Sequence, residues 1–89
     1  MFKNPHFETR GIVAAIPYPI RHFLWQSVSA MPEPRDYLQV FQLSPCGPFL
    51  RITHSYQMEY LLLYDEPLNQ KIYVIDSEDY STMLLASEY

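Results

Sequence analysis

Only two glycines, Gly11 and Gly47, occur in 89 residues. A glycine-rich loop cradling a phosphate is thereby excluded, because such a loop needs several closely spaced glycines to wrap backbone N–H groups around an anion. A single cysteine, Cys46, excludes an intrachain disulfide. The N-terminal MFKNPHFETR has no apolar run of signal-peptide length, so a reducing cytoplasm is the expected compartment. No apolar stretch reaches the ~20 residues that a membrane-spanning helix requires. Metal ligands are also poorly placed: His6, His22, His54 and Cys46 match neither a C-x-x-C nor an H-x-x-x-H spacing. Asp76, Glu78 and Asp79 lack the central glycine and the further oxygens of a calcium loop. Cys46 has no neighbouring base to make it a nucleophile. No metal, cofactor or catalytic residue is therefore expected, and an enzyme is disfavoured.

Positive charge is scarce toward the C-terminus. Residues 1–58 carry five basic groups against three acids, whereas residues 59–89 carry seven acids against Lys71 alone, which places the halves near +2 and −6 in a chain of net charge −4. Such a chain is ill suited to gripping a nucleic-acid backbone. The acidic half reads first as a solvated edge and second as a surface for a basic partner.

What the chain has in quantity is apolar and aromatic surface. Hydrophobic residues make up 48% and aromatic residues 16%, with eight tyrosines. A chain of this length forms one domain, residues 1–89, and buries roughly 60–65% of its unfolded surface, so some rings must remain outside. Within Pro17–Met31 apolar residues recur at helical period: Ile20, Phe23, Leu24, Val28 and Met31 share one arc, opposite His22, Gln26 and Ser29. Pro19 suits a first helical turn and Pro32 and Pro34 forbid continuation, which predicts a helix over Pro19–Ala30 burying Phe23 and Leu24.

The remainder reads as strand and turn. Phe7–Ala15 predicts a first strand with Gly11 at a bulge or a close backbone approach. Met31–Arg35 predicts a stiff proline linker. Tyr37–Leu43 and Phe49–His54 predict an antiparallel hairpin around Pro45-Cys46-Gly47-Pro48. Tyr56–Tyr64 alternates, with Tyr56, Met58, Tyr60, Leu62 and Tyr64 on one side, and needs a bend near Ser55–Gln57 to separate it from the strand before. Lys71–Asp76 predicts another strand, and after a turn at Ser77–Asp79 the run Tyr80–Ala86 reads as a last strand, with a short helix capped by Ser77 as the alternative. The architecture expected is an α+β domain, one amphipathic helix on a mostly antiparallel sheet of about five strands in the order β-α-β-β-β-β.

Trp25 falls at the border of the helix face beside Arg21. A border tryptophan is either a core edge or an interface anchor, since Trp, Tyr and Arg dominate binding hot spots. Trp25, Arg21, Tyr56, Tyr60 and Tyr64 are thus the candidate interaction surface.

At Thr9-Arg10-Gly11, at Asp36–Ser44 (DYLQVFQLS), at Ser81–Leu85 (STMLL) and at the terminal Glu88-Tyr89, the chain resembles a small bacterial family catalogued as domain of unknown function nine-sixty. The resemblance spans nearly the whole length. It implies a compact cytoplasmic protein of Gram-positive bacteria or their mobile elements with no assigned activity, and it carries over no functional residue.

Three functions from different classes follow. The leading one is a non-enzymatic interaction module, an adaptor or inhibitor of host or phage origin. The second is a small enzyme or ligand-binding domain with a pocket lined by Tyr56, Tyr60 and Tyr64, converging with Arg51 or His54. The third is an acidic imitation of nucleic acid, for which Asp65, Glu66, Asp76, Glu78 and Asp79 must share a face. One helix about 10 Å across cannot cover five strands at nearly 5 Å spacing, and Phe41 and Leu43 lie opposite Leu38 and Val40, so both faces are apolar. A homodimer through a face or an edge, with Trp25 nearby, is expected.

Overall fold

The computed structural model describes residues 5–31, 37–54, 58–64, 66–77 and 79–89. Alternating apolar residues lay down the centre of the sheet. In β2 (Leu38–Cys46) Gln39, Phe41 and Leu43 turn to one side and are buried, while Leu38, Val40 and Gln42 turn to the other and are half-buried. A two-residue turn at Gly47-Pro48 joins β2 to β3 (Phe49–His54), and Gly47 supplies the φ of 60° that the first position of a type II′ turn needs. β4 (Met58–Leu63), β5 (Gln70–Ser77) and β6 (Tyr80–Leu85) follow by the same period-2 logic.

The sheet has six strands in the order β1-β6-β5-β2-β3-β4. Every pairing is antiparallel except that of β1 (His6–Glu8) with β6, which is parallel: the two helices form a crossover that lets β2 run in the direction of β1, and the antiparallel steps from β2 to β5 and from β5 to β6 give β6 that same direction. The α+β class and the mostly antiparallel sheet agree with the sequence reading. There are six strands instead of about five, and two helices instead of one.

Phe7–Ala15 is not one strand. The strand stops at Glu8, and Arg10–Ala15 forms helix α1, with Thr9 as its N-cap, accepting a hydrogen bond from the Ile12 amide at 3.2 Å. The Ile-Val pair that suggests a strand is overruled by the i, i+4 spacing of Ile12 and Ile16, both buried. Gly11 is a helical residue and not a bulge. Helix α2 (Tyr18–Ser29) lies within a residue of its predicted bounds, with Pro17 as N-cap and Pro19 in the first turn. Its buried line is Ile20, Leu24 and Val28, flanked by Trp25, which is buried, and Phe23, which is only half-buried. Phe23 was expected inside and Trp25 at the border; the indole takes the inner place because an acceptor waits there for its N–H.

Both helices lie on one face, over a core that includes Phe41, Leu43, Leu50, Ile52, Ile72, Val74 and Met83. Residues 80–85 are strand, and Ala86–Glu88 form a 3-10 turn. The predicted proline linker and the bend at 55–57 fall on positions outside the described residues, apart from Met31.

Candidate functional site

Glu8 is the sole acid among the first 32 residues, and the fold brings it beneath α2. Its Oε2 accepts from the Arg21 Nε at 3.2 Å and from the Trp25 Nε1 at 3.0 Å. Arg21 also donates through Nη1 to the Ile16 carbonyl at the corner between the helices. The imidazole of His6 stacks on the indole of Trp25 with ring centres 3.9 Å apart, and that of His22 stacks on Tyr18 at 5.8 Å. These rings wall an open groove of about 910 Å³. The one charged lining residue, Glu8, is engaged internally: the Arg21 and Glu8 side chains are 12% and 25% exposed and joined by a charge-assisted bond. Trp25 and Arg21 are thereby knotted to Glu8, whose part the helix-wheel argument missed. A cationic side chain turned toward the sheet with one acid available upstream is the signal that could have found it.

The tyrosine row lies at the other end of the sheet. Tyr60 and Tyr64 are half-buried on the helix side of β4, Tyr60 edge-on to Phe23 at 5.2 Å and Tyr64 donating to Glu66 at 3.3 Å. Tyr56 lies outside the described residues. With Trp25 near β1 and Tyr60 on β4, the four described candidate positions do not form one patch, since opposite edges of six strands stand about 24 Å apart.

Nor does a tyrosine pocket assemble. Arg51 projects from the opposite face, where its Nε is 3.4 Å from Glu59 and its Nη2 donates to the Cys46 Sγ at 3.6 Å. His54 is buried, stacked on Phe41 at 4.2 Å, with Nε2 2.8 Å from the Gln39 Oε1. Burial holds its pKa below the ordinary value, and its Nδ1 has no hydrogen-bond partner among the described residues. The described acids are not brought together either: Glu66 precedes β5 and Asp76 and Asp79 lie at its far end, roughly 25 Å along an eight-residue strand. Asp65 and Glu78 lie outside the described residues. Among the described residues no group of three His, Cys, Asp or Glu could hold a metal ion, and no helix is long and apolar enough to cross a membrane.

What the geometry leaves open is the second face of the sheet, which no helix among the described residues covers. A polar stripe, Lys71, Gln42, Thr53 and Glu59, crosses it in register. On one side of the stripe Phe7 meets Tyr80 and Tyr73 meets Tyr89, both edge-on at about 5.5 Å. On the other side Phe49, Leu61 and Leu63 are exposed, Leu63 to 81%. Leu61 and Leu63 belong to β4, the edge strand. The Tyr64 amide donates to the Pro48 carbonyl at 3.1 Å, which fixes the phase of the β3–β4 ladder: Leu62, Tyr60 and Met58 face β3 with their backbone groups. Glu59, Leu61 and Leu63 direct theirs outward.

The family described as staphylococcal protein of unknown function (DUF960) matches residues 6–88, and the chain belongs to it. A crystal structure of a protein of unknown function from Enterococcus faecalis superimposes with a TM-score of 0.85 at 18% identity, over 97% of this chain and 91% of that one. At that identity the likeness is one of fold. No curated protein matches the chain.

Proposed function

We propose that this member of the family is a non-enzymatic protein-interaction module, an adaptor or inhibitor, that presents the helix-free face of its sheet and the β4 edge to protein partners, another copy of the chain among them. The observation that carries this reading is the bare face. Among the described residues no second layer lies over this half of the six-stranded sheet's surface, and it bears aromatic and aliphatic side chains in contiguous groups on either side of a polar stripe. Exposed apolar patches of this kind, with a polar boundary, characterise interaction surfaces. Tyr60 and Tyr64 flank the same edge from the helix side. Trp25 and Arg21 sit at the opposite edge and serve there to fasten α2 to β1, which leaves them outside the surface proposed.

A photo-reactive amino acid introduced in cells tests the reading by face. At Leu63 or Val40 it should form protein adducts, while at Ala14, exposed on α1, it should form none. Equal yields at both faces, or none at Leu63 and Val40, would overturn the proposal.

A further inference from the structure

We propose that β4 pairs antiparallel with β4 of a second copy, across a two-fold axis passing at Leu61, a proposal that rests on the interaction reading and names its surface. Natural sheets guard their edges with short strands, prolines, bulges or inward charges. The β1 edge follows that rule, for it has three residues and the chain leaves it at once into α1. The β4 edge does not. It runs six residues without proline, glycine or a basic residue, and Glu59, its one charge, is engaged by Arg51 of the same chain. Its outward-facing backbone groups recur at every second residue, at Glu59, Leu61 and Leu63, which is the spacing an added strand requires.

The occupant follows from what this edge complements. In the antiparallel register centred on Leu61, the Leu61 of one copy opposes that of the other, and Glu59 opposes Leu63 of the second copy. No two carboxylates meet, and about six backbone hydrogen bonds form. Leu61, exposed to 53%, and Leu63 then join the same residues of the second copy in one apolar strip on the open face. Tyr60 and Leu62 oppose one another on the helix side. A foreign strand would meet the same backbone groups, but nothing on this face selects its side chains, whereas the second copy satisfies pairing, charge and apolar matching at once. Two strands some 20 Å long and a sheet about 10 Å thick meet over about 200 Å² in section, well under the ~800 Å² per partner of a stable complex. Monomer and dimer therefore exchange, with the dimer gaining as concentration rises.

Sedimentation of the full chain across a concentration series tests this. The average mass should rise from 10.6 kDa toward twice that value. Leu61→Pro removes an outward N–H and no bond of the β3–β4 ladder, so the variant should keep its fold, checked by circular dichroism, and weaken association at least about tenfold. Leu63→Lys, which places a guarding charge on the edge, serves if the proline variant does not fold. A spin label at Leu61→Cys in a Cys46→Ser background should report a short intermolecular distance. A chain that stays monomeric throughout overturns the self-pairing and leaves the interaction reading to the cross-linking experiment. A dimer that survives both folded variants overturns β4 as the surface while favouring an interaction module.

Discussion

A Cβ on Gly11 would stand 2.6 Å from the Cδ and Oε2 of Glu88, so the carboxylate near the end of the chain is seated in space that only glycine leaves free. Glu88 Oε1 accepts from the Thr9 hydroxyl at 2.7 Å and from the Leu85 amide at 2.9 Å. The same Thr9 oxygen caps α1. Thr9 and Gly11 at one end and Glu88 at the other, all within the runs that carry the family resemblance, thus form one contact that closes the fold.

Gly11→Ala should change sign with its background. Alanine gains about 0.5–1 kcal/mol over glycine inside a helix, but here it displaces the Glu88 side chain from Thr9. Chemical melts should therefore show Gly11→Ala stabilising in a Glu88→Ala chain and neutral or destabilising in the natural one. The same gain in both backgrounds would show the contact to be idle. The Thr9 hydroxyl and the Leu85 amide hold the Glu88 carboxyl below its ordinary value of 4.5. Its folded pKa is depressed, so its small contribution is present above that value and is lost as pH falls through the folded pKa.

Glu8→Gln should loosen the knot that fastens α2 to β1. The amide oxygen can still accept from one donor, but the charge opposite Arg21 is gone, and a half-buried charge-assisted bond lost in this way costs about 1–2 kcal/mol. Trp25 is the sole tryptophan, so its emission reports the site directly. A red shift and an earlier urea midpoint are expected; unchanged emission and midpoint would mean that the Glu8 contacts add nothing to packing.

The strands from β2 onward and the helix α2 were legible in the sequence because period 2 and period 3.6 each survive in single stretches: Leu38–Leu43 alternates through to its burial, and Ile20, Leu24 and Val28 mark a helix line. The α1 helix was not legible, since six residues carry too few turns for periodicity and its cap is completed by Glu88, 79 residues away. The knot at Trp25 was hidden for the same reason: Glu8 and Trp25 are joined by tertiary placement and by no local pattern. The bare face could be foreseen from Leu38 and Val40 opposing Phe41 and Leu43. That β4 would be an edge could not, because strand order follows from the way the chain returns to the sheet and not from composition.

Phe23 and Leu24 should differ when truncated. Leu24 is fully buried on the central line of α2, whereas Phe23 leans on Tyr60 at the rim. Leu24→Ala should cost about 2–5 kcal/mol, and Phe23→Ala about 1–2 kcal/mol through lost area and one edge-on ring contact. Urea melts compare them, and a larger loss at Phe23 would place the core nearer β4 than its buried residues indicate.

His54 should make stability depend on pH below neutrality. Its ring is buried against Phe41, and desolvation lowers its pKa from 6.5. The unfolded chain then binds a proton that the folded chain refuses, so between the two pKa values the unfolded state holds more protons and stability rises with pH. Read downward, stability should begin to fall as pH drops through about 6.5 and continue until the folded pKa is reached, by at most about 1.4 kcal/mol per pH unit for a single proton. His54→Gln keeps a polar group that can donate to the Gln39 oxygen and does not titrate. Urea midpoints measured between about pH 7.5 and 5 should therefore slope in the natural chain and flatten in the variant. An equal slope in both would assign the dependence to some other group and leave His54 without the role given to it.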